Sequence, residues 1–479
     1  MTHLDQEKLR GVIARTWAAE VIPSLSGLIA IPALSPSFDS SWAATGYLAA
    51  AVDHVAAWAE ARGWELSTEV VRLDGRSPVL LIEVPATAGA AGQGTVLIYG
   101  HLDKQPALGD WSAGLGPWQP VLRDGRLYGR GAADDGYSGY AAVSALEAVR
   151  AAGGEHARTV ILLETGEESG SPDLPAYLAH IDRRLGHVDL VICLDSGAGT
   201  DRDRLWLTSS LRGMVTATVT VRVLEAGVHS GIASGIAPDS FRIIRQLLDR
   251  LEDPVTGRVK LAEMNVPIPA GRQADAAALA ALEPDAVGRG IPFAGGVSAA
   301  APDPVGLILN NTWRPSLSVT GADGLPESKL APLVLRPATS LRLSFRIPPT
   351  ASAASAREAL AQAVTTDVPY GAHVEVRDFV TLDGWSAPVP SPWLANALDA
   401  LTGPVFSRPY RQLGVGGGIP FMQLLGQRYP DADFVVTGAL GTDSNMHVPD
   451  ESLNIEYAEQ VTAAVAYILD AHANASHRS

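Results

Sequence analysis

The stretch TVILLETGEESGSPDL, residues 159–174, runs apolar from Val160 to Leu163 and then presents two adjacent glutamates, Glu167 and Glu168, in a Gly- and Ser-rich turn. An unbroken apolar run of this kind is the pattern of a strand buried on both faces, as in a parallel sheet. As a solvated turn the pair would need no explanation, because like charges repel only weakly in water. As a functional pair it needs company, in the form of other core strands that end in acids or histidines.

Working outward, SPVLLIEV (77–84), TVLIYG (95–100), DLVICL (189–194) and DFVVTG (433–438) are equally continuous. Between the second of these and TVILLE lies GYSGYAAVSALEAVRAAGG, an Ala-rich helix stopped by Gly153 and Gly154. Strand, helix, strand in this order predicts an α/β domain with a mostly parallel sheet, right-handed crossovers and helices on both faces. Two amphipathic helices precede it, over residues 5–22 and in AATGYLAAAVDHVAAWAEARG, ending at Gly63.

The pattern changes near residue 210. MVTATVTVRV places Val215, Ala217, Val219, Val221 and Val223 on one face, and TSLRLSFRI does the same with Leu341, Leu343, Phe345 and Ile347. Such alternation predicts an antiparallel sheet with one covered face. Helices are expected at about 238–252, with Phe241, Ile244, Leu247, Leu248 and Leu251 on the apolar side, and at about 352–365. Loops and short elements are expected through the Pro- and Gly-rich region 254–337. The domain reading is therefore a discontinuous α/β domain, 1–208 and 385–479, carrying an inserted α+β domain over 209–384.

With 36 Lys+Arg against 52 Asp+Glu the formal charge of the 479-residue chain is −16, which would repel a nucleic acid at long range. The single Cys193 excludes an internal disulfide and a thiolate zinc cluster and fits a reducing compartment. The N-terminus has early acidic residues and no apolar core of a signal peptide, so the expectation is a cytoplasmic protein with no membrane partner.

In open α/β sheets ligands bind at the carboxyl ends of the strands. The residues that follow the apolar runs are His101 and Asp103, Asp134 and Asp135 (after RLYGRGAA), Glu167 and Glu168, Asp195, and His447. So many carboxylates and imidazoles sit together in a protein interior only with cations between them. Oxygen and nitrogen donors without thiolate suit zinc, with manganese or cobalt able to substitute. The set exceeds what one tetrahedral ion uses and matches two divalent ions. His101 and Asp103 are two apart and project to one side, so Asp103 is expected to hold the unused ring nitrogen of His101. Glu167 and Glu168 project differently, which suggests one ligand and one base.

These residues resemble the M20 metallopeptidases, and among them the dipeptidase branch of cytosolic nonspecific dipeptidases and carnosinases. The resemblance is carried by YGHLDKQPA, LYGRGAADDGYSG, ETGEESGSPDL, LDSG, GVHSG, PSLSVTG, SFRIPP and GTDSNMHVPDE, in that order. It implies metal binding by His101, Glu168, Asp195 and His447, with Asp134 bridging two ions, Glu167 as general base, and a cis peptide after Asp134. It further implies that the inserted domain is a lid through which a homodimer forms, so that His229 reaches the active site of the partner subunit and stabilises the oxyanion. Arg346 becomes a clamp for the substrate carboxylate. In LGVGGGIP, Gly418 stands where the branch usually has serine, leaving the backbone N–H groups of Gly417 and Gly418 as donors. Lys104 stands where valine is usual, and the lysine common after the two aspartates is missing.

The implied activity is metal-dependent hydrolysis of dipeptides or short peptides with a free C-terminal carboxylate. The alternatives are the same chemistry on N-acyl or N-carbamoyl amino acids, and a noncatalytic scaffold that kept the fold.

Overall fold

The computed structural model describes residues 4–197, 199, 201–284 and 291–475. The chain divides into two compact units, the first made of 1–208, 387–413 and 424–479, the second of 209–386 and 414–423.

The first unit is built on a six-stranded sheet in the order Ser67–Val71, Val79–Val84, Thr159–Glu164, Thr95–His101, Val188–Cys193, Asp433–Val436. The last four pair in parallel, and Val79–Val84 and Ser67–Val71 add an antiparallel edge. Every residue of Thr95–His101 and Thr159–Glu164 is buried, which is why these strands read as continuous apolar runs. The helix Ser138–Ala151 connects them and is itself almost wholly buried.

Residues Gln6–Ala30 form a helical stretch with the length and hydropathy of a membrane span. Its Leu9, Ile13, Trp17, Val21, Leu25, Leu28 and Ile29 are buried in this unit. A core helix satisfies the same test of length and apolar content as a span.

RLYGRGAA does not leave the central sheet. Arg126–Tyr128 belongs to a separate antiparallel sheet with Val121–Arg123 and Ser452–Asn454. The expectation that Asp134 follows a central strand is corrected accordingly: it sits in the turn Ala132–Gly136 that opens the helix Ser138–Ala151.

In the second unit Gly213–Arg222, Ala338–Ile347, Ser316–Asp323 and His373–Leu382 form an antiparallel sheet. Its inner face, Val215, Ala217, Val219, Val221, Leu341, Leu343, Phe345 and Ile347, packs against Ser240–Leu251 and Ala353–Thr365. Phe241, expected inside, is 37% exposed, and Ile243 takes its place in the core beside Ile244. The region expected to be mostly loops contains two substantial helices, Ala270–Leu282 and Pro304–Thr312.

Candidate metal centre

His101 is the last residue of its strand and fully buried. Gly100 before it allows a close approach, since a Cβ there would lie 2.7 Å from Asp135 Oδ2 and closer still to Ser138 Oγ. Asp135 Oδ2 accepts a hydrogen bond from the His101 amide at 3.2 Å. The ring Nδ1 lies 3.0 Å from the Asp103 carbonyl oxygen and 3.5 Å from Asp103 Oδ1. With Nδ1–H donating there, the Nε2 lone pair faces the carboxylates, a partner arrangement that fixes the tautomer of metal-binding histidines. Nε2 is 3.3 Å from Asp134 Oδ1 and 3.9 Å from Asp195 Oδ2.

The Asp103 carboxylate also supports the glutamate turn. Its Oδ1 accepts from the Glu167 amide at 3.2 Å and its Oδ2 from the Glu168 amide at 3.0 Å. That contact, rather than the ring nitrogen alone, accounts for an acid two residues after His101. The backbone of Glu167–Ser169 closes a single helical turn, and Glu167 falls in one group of donor atoms while Glu168 falls in the other.

Asp134 lies beyond Gly131, whose φ is +80° and which has no room for a side chain because a Cβ would come 2.7 Å from Lys104 Cε. The Asp134–Asp135 peptide is cis. His447 comes eleven residues after Val436, in a loop where its own φ is +63°. Its Nε2 lies 2.9 Å from Asp134 Oδ2 and 3.3 Å from Glu168 Oε1. The other Glu168 oxygen accepts from Gln105 Nε2 at 2.7 Å.

Two groups of ligand atoms result, His101, Glu167 and Asp195 in one and Asp134, Glu168 and His447 in the other, each within 4.8 Å internally. Asp134 lies between them, one oxygen toward each histidine. Burial pushes Asp195 up to about 7, with Asp134 and Glu168 adding to the rise. Burial and the Asp195 charge likewise hold the Glu167 carboxyl well above the usual carboxylate range. Burial pulls His447 down, but hydrogen bonds to Asp134 and Glu168 outweigh it and raise the imidazole to about 10. Asp135 Oδ1 is buried with no hydrogen-bond partner among the described residues. Donors of this kind, packed with this much unbalanced negative charge, fit divalent cations.

His229, Arg346, Gly417 and Gly418 belong to the second unit. His229 is exposed and caps the short helix Ser230–Ala233, its Nδ1 accepting from the Gly231 amide at 3.1 Å. Arg346 lies on Ala338–Ile347, opposite Met214 and Ser316. Burial and the Arg346 charge push Arg212 down to about 10. The Arg212 guanidinium donates to the carbonyls of Gly416, Asn310 and Arg314 and so anchors the glycine loop. A Cβ on Gly418 would lie 2.8 Å from the Arg212 carbonyl oxygen and 2.7 Å from Leu382 Cδ2, whereas one on Gly417 would meet nothing.

Motif spacing gives no role to Gln105, Arg130 or Glu451, whose side chains bond to residues around the centre, Gln105 to Glu168, and Arg130 and Glu451 to each other, with Glu451 also accepting from the amides of Gly131, Ala133 and Asp134. Their side chains carry no metal-ligand spacing, and only the folded contacts reveal them.

The model of peptidase family M20/M25/M40 matches residues 97–471, and the chain belongs to this metallopeptidase family. It is 28% identical over 422 residues to the cysteinylglycine-S-conjugate dipeptidase of Corynebacterium striatum, covering 87% of this chain and 89% of that one. Two solved structures share the fold across nearly the whole chain. The dipeptidase Dug1p from Saccharomyces cerevisiae has a TM-score of 0.73 at 21% identity, covering 99% and 100% of the two chains. Human carnosine dipeptidase 1 has a TM-score of 0.72 at 22% identity, covering 98% of each.

Proposed function

We propose that the protein is a dipeptidase that holds two divalent ions and hydrolyses dipeptides or short peptides with a free C-terminal carboxylate. The observation that supports this reading is Asp134, a member of the group with Glu168 and His447, which turns one oxygen toward His447 and the other toward His101 of the group with Glu167 and Asp195. The substrate class draws on the dipeptidase relative matched over most of both chains. Zinc is the first choice for the donor set, with manganese or cobalt able to replace it.

When bound, such ions lower the pKa of a water and polarise a carbonyl. His101, Asp134, Glu168, Asp195 and His447 are the residues that would hold them. Glu167, in the group of donors with His101 and Asp195, takes the proton from the attacking water and returns it to the leaving amine as general base. Asp103 positions Glu167 and Glu168 through their amides and His101 through its ring. Arg346 holds the substrate carboxylate bidentately, and the amides of Gly417 and Gly418 donate to it. His229 stabilises the oxyanion from a partner subunit in a homodimer formed through the domain 209–384, which acts as a lid. The protein works in the cytoplasm, where its single buried Cys193 stays reduced.

The test is a panel of dipeptides and N-acyl and N-carbamoyl amino acids assayed with zinc, manganese and cobalt in turn. Chelator-sensitive release of amino acids from dipeptides is expected. Turnover of acyl or carbamoyl amino acids alone would contradict the substrate class, and no hydrolysis at all would contradict the enzyme.

A further inference from the structure

Glu451 is fully buried, four residues after His447. One of its oxygens, Oε1, accepts from three backbone amides, Gly131 at 3.0 Å, Ala133 at 3.2 Å and Asp134 at 3.3 Å. The other, Oε2, accepts from Arg130 Nη1 at 2.5 Å. Arg130, also buried, donates from Nη2 to the Val448 carbonyl at 3.2 Å and from Nε to the Pro106 carbonyl at 3.3 Å. The Glu451 carbonyl in turn accepts from the Gly129 amide at 3.0 Å.

These contacts join three ligand-bearing segments. Pro106 follows His101 and Asp103, Gly131–Asp134 carries the shared aspartate, and Val448 follows His447. We propose that Glu451 and Arg130 form a positioning pair that sets Asp134 against His447, and thereby determines how tightly the Asp134–Glu168–His447 group holds its cation. The proposal rests on the metal reading above.

The chemistry of the pair makes the test sharp. Three amides converge on one oxygen and a guanidinium on the other, so both ends of the side chain must accept. A glutamine of the same shape presents an NH2 either to Arg130 or to the amides, and one set of donors loses its acceptor whichever way it turns. Arg130 would then be a buried cation without its counter-charge. Lysine at position 130 keeps the charge but cannot reach Val448, Pro106 and Glu451 together, because it lacks the planar fork.

The experiment is a titration of the metal-free full chain with zinc against a chromophoric chelator, and with cobalt followed by its visible absorption spectrum. Wild type should take up two equivalents. Glu451→Gln should bind one of them at least about tenfold more weakly, in the range found for supports of metal ligands, with an altered cobalt spectrum. Arg130→Lys should weaken the same equivalent by a smaller factor, and if Glu451→Gln fails to fold this variant decides alone. Wild-type affinities for both equivalents in the variants that fold would overturn the positioning role while leaving the metal reading intact. Failure of the wild type itself to bind a divalent ion would overturn that underlying reading instead.

Discussion

His447 Nε2 lies 2.9 Å from one carboxylate oxygen of Asp134, while the other oxygen of the same group lies 3.3 Å from His101 Nε2. A single short side chain therefore links two histidines that are 346 positions apart (447 − 101). Asparagine at position 134 keeps the shape but replaces one acceptor by a donor. Asp134→Asn alters a ligand rather than a support of one, so it is expected to lower the affinity for at least one divalent ion by more than the roughly 10–100-fold that loss of a supporting partner costs, as read by elemental analysis after dialysis.

Protons and cations compete for the same atoms. In the metal-free protein, Asp134 and Glu168 hold His447 protonated up to about pH 10, and burial keeps a proton on Asp195 up to about pH 7. Those protons must leave before the atoms can coordinate, so metal binding at pH 7 releases protons and the apparent affinity rises with pH. Calorimetry in buffers of different ionisation enthalpy checks this. Buffer-independent heats would contradict it.

Serine at position 418 would match the usual pattern of the branch, yet the backbone here leaves it little space. Its Cβ would lie 2.8 Å from the Arg212 carbonyl oxygen and 2.7 Å from Leu382. Gly418→Ser is expected to destabilise the second unit by about 1–3 kcal/mol, as overpacking does, measured by chemical denaturation.

Lys104 is buried, and its Nζ donates to the carbonyls of Leu28 and Ile31 at 2.7 Å and of Ile29 at 3.2 Å, closing the end of the helix Ile22–Ala30. Burial lowers the ammonium from its usual 10.5 to about 7, partly opposed by Glu451. Between those values the unfolded chain binds more protons than the folded one, so this group makes stability rise with pH across that window. Below pH 7 its burial penalty is fully present. Lys104→Met deletes three hydrogen bonds, at a cost of about 1–3 kcal/mol, and removes that part of the slope. Denaturation at pH 7 and pH 9.5 should therefore show wild type gaining more stability than the variant.

Much of the fold was legible because buried strands and one-face-covered strands leave different patterns, as TVILLE and MVTATVTVRV do. The mainly parallel sheet followed from these runs, while the antiparallel edge did not, since Val79–Val84 is buried whichever way it runs. Ala270–Leu282 escaped notice because its Ala-rich turns lie among Pro and Gly and bury only Ala276 and Ala280. His101, Glu167, Glu168 and Asp195 were legible as residues just beyond buried strands of the central sheet, whereas Asp134 comes from the turn before Ser138–Ala151 and His447 from a long loop, so their proximity is not written in the apolar runs. Glu451, Arg130 and Gln105 act through amides, carbonyls and another side chain's second oxygen, contacts that no spacing encodes.

The central claim is that Glu167 moves the proton of the attacking water while other residues hold the metal. The direct measurement is dipeptide turnover by Glu167→Gln together with its metal content. The account predicts two equivalents of metal, as in wild type, and turnover reduced by about two to four orders of magnitude, the range for a lost general base. Near-normal turnover with full metal content would contradict it.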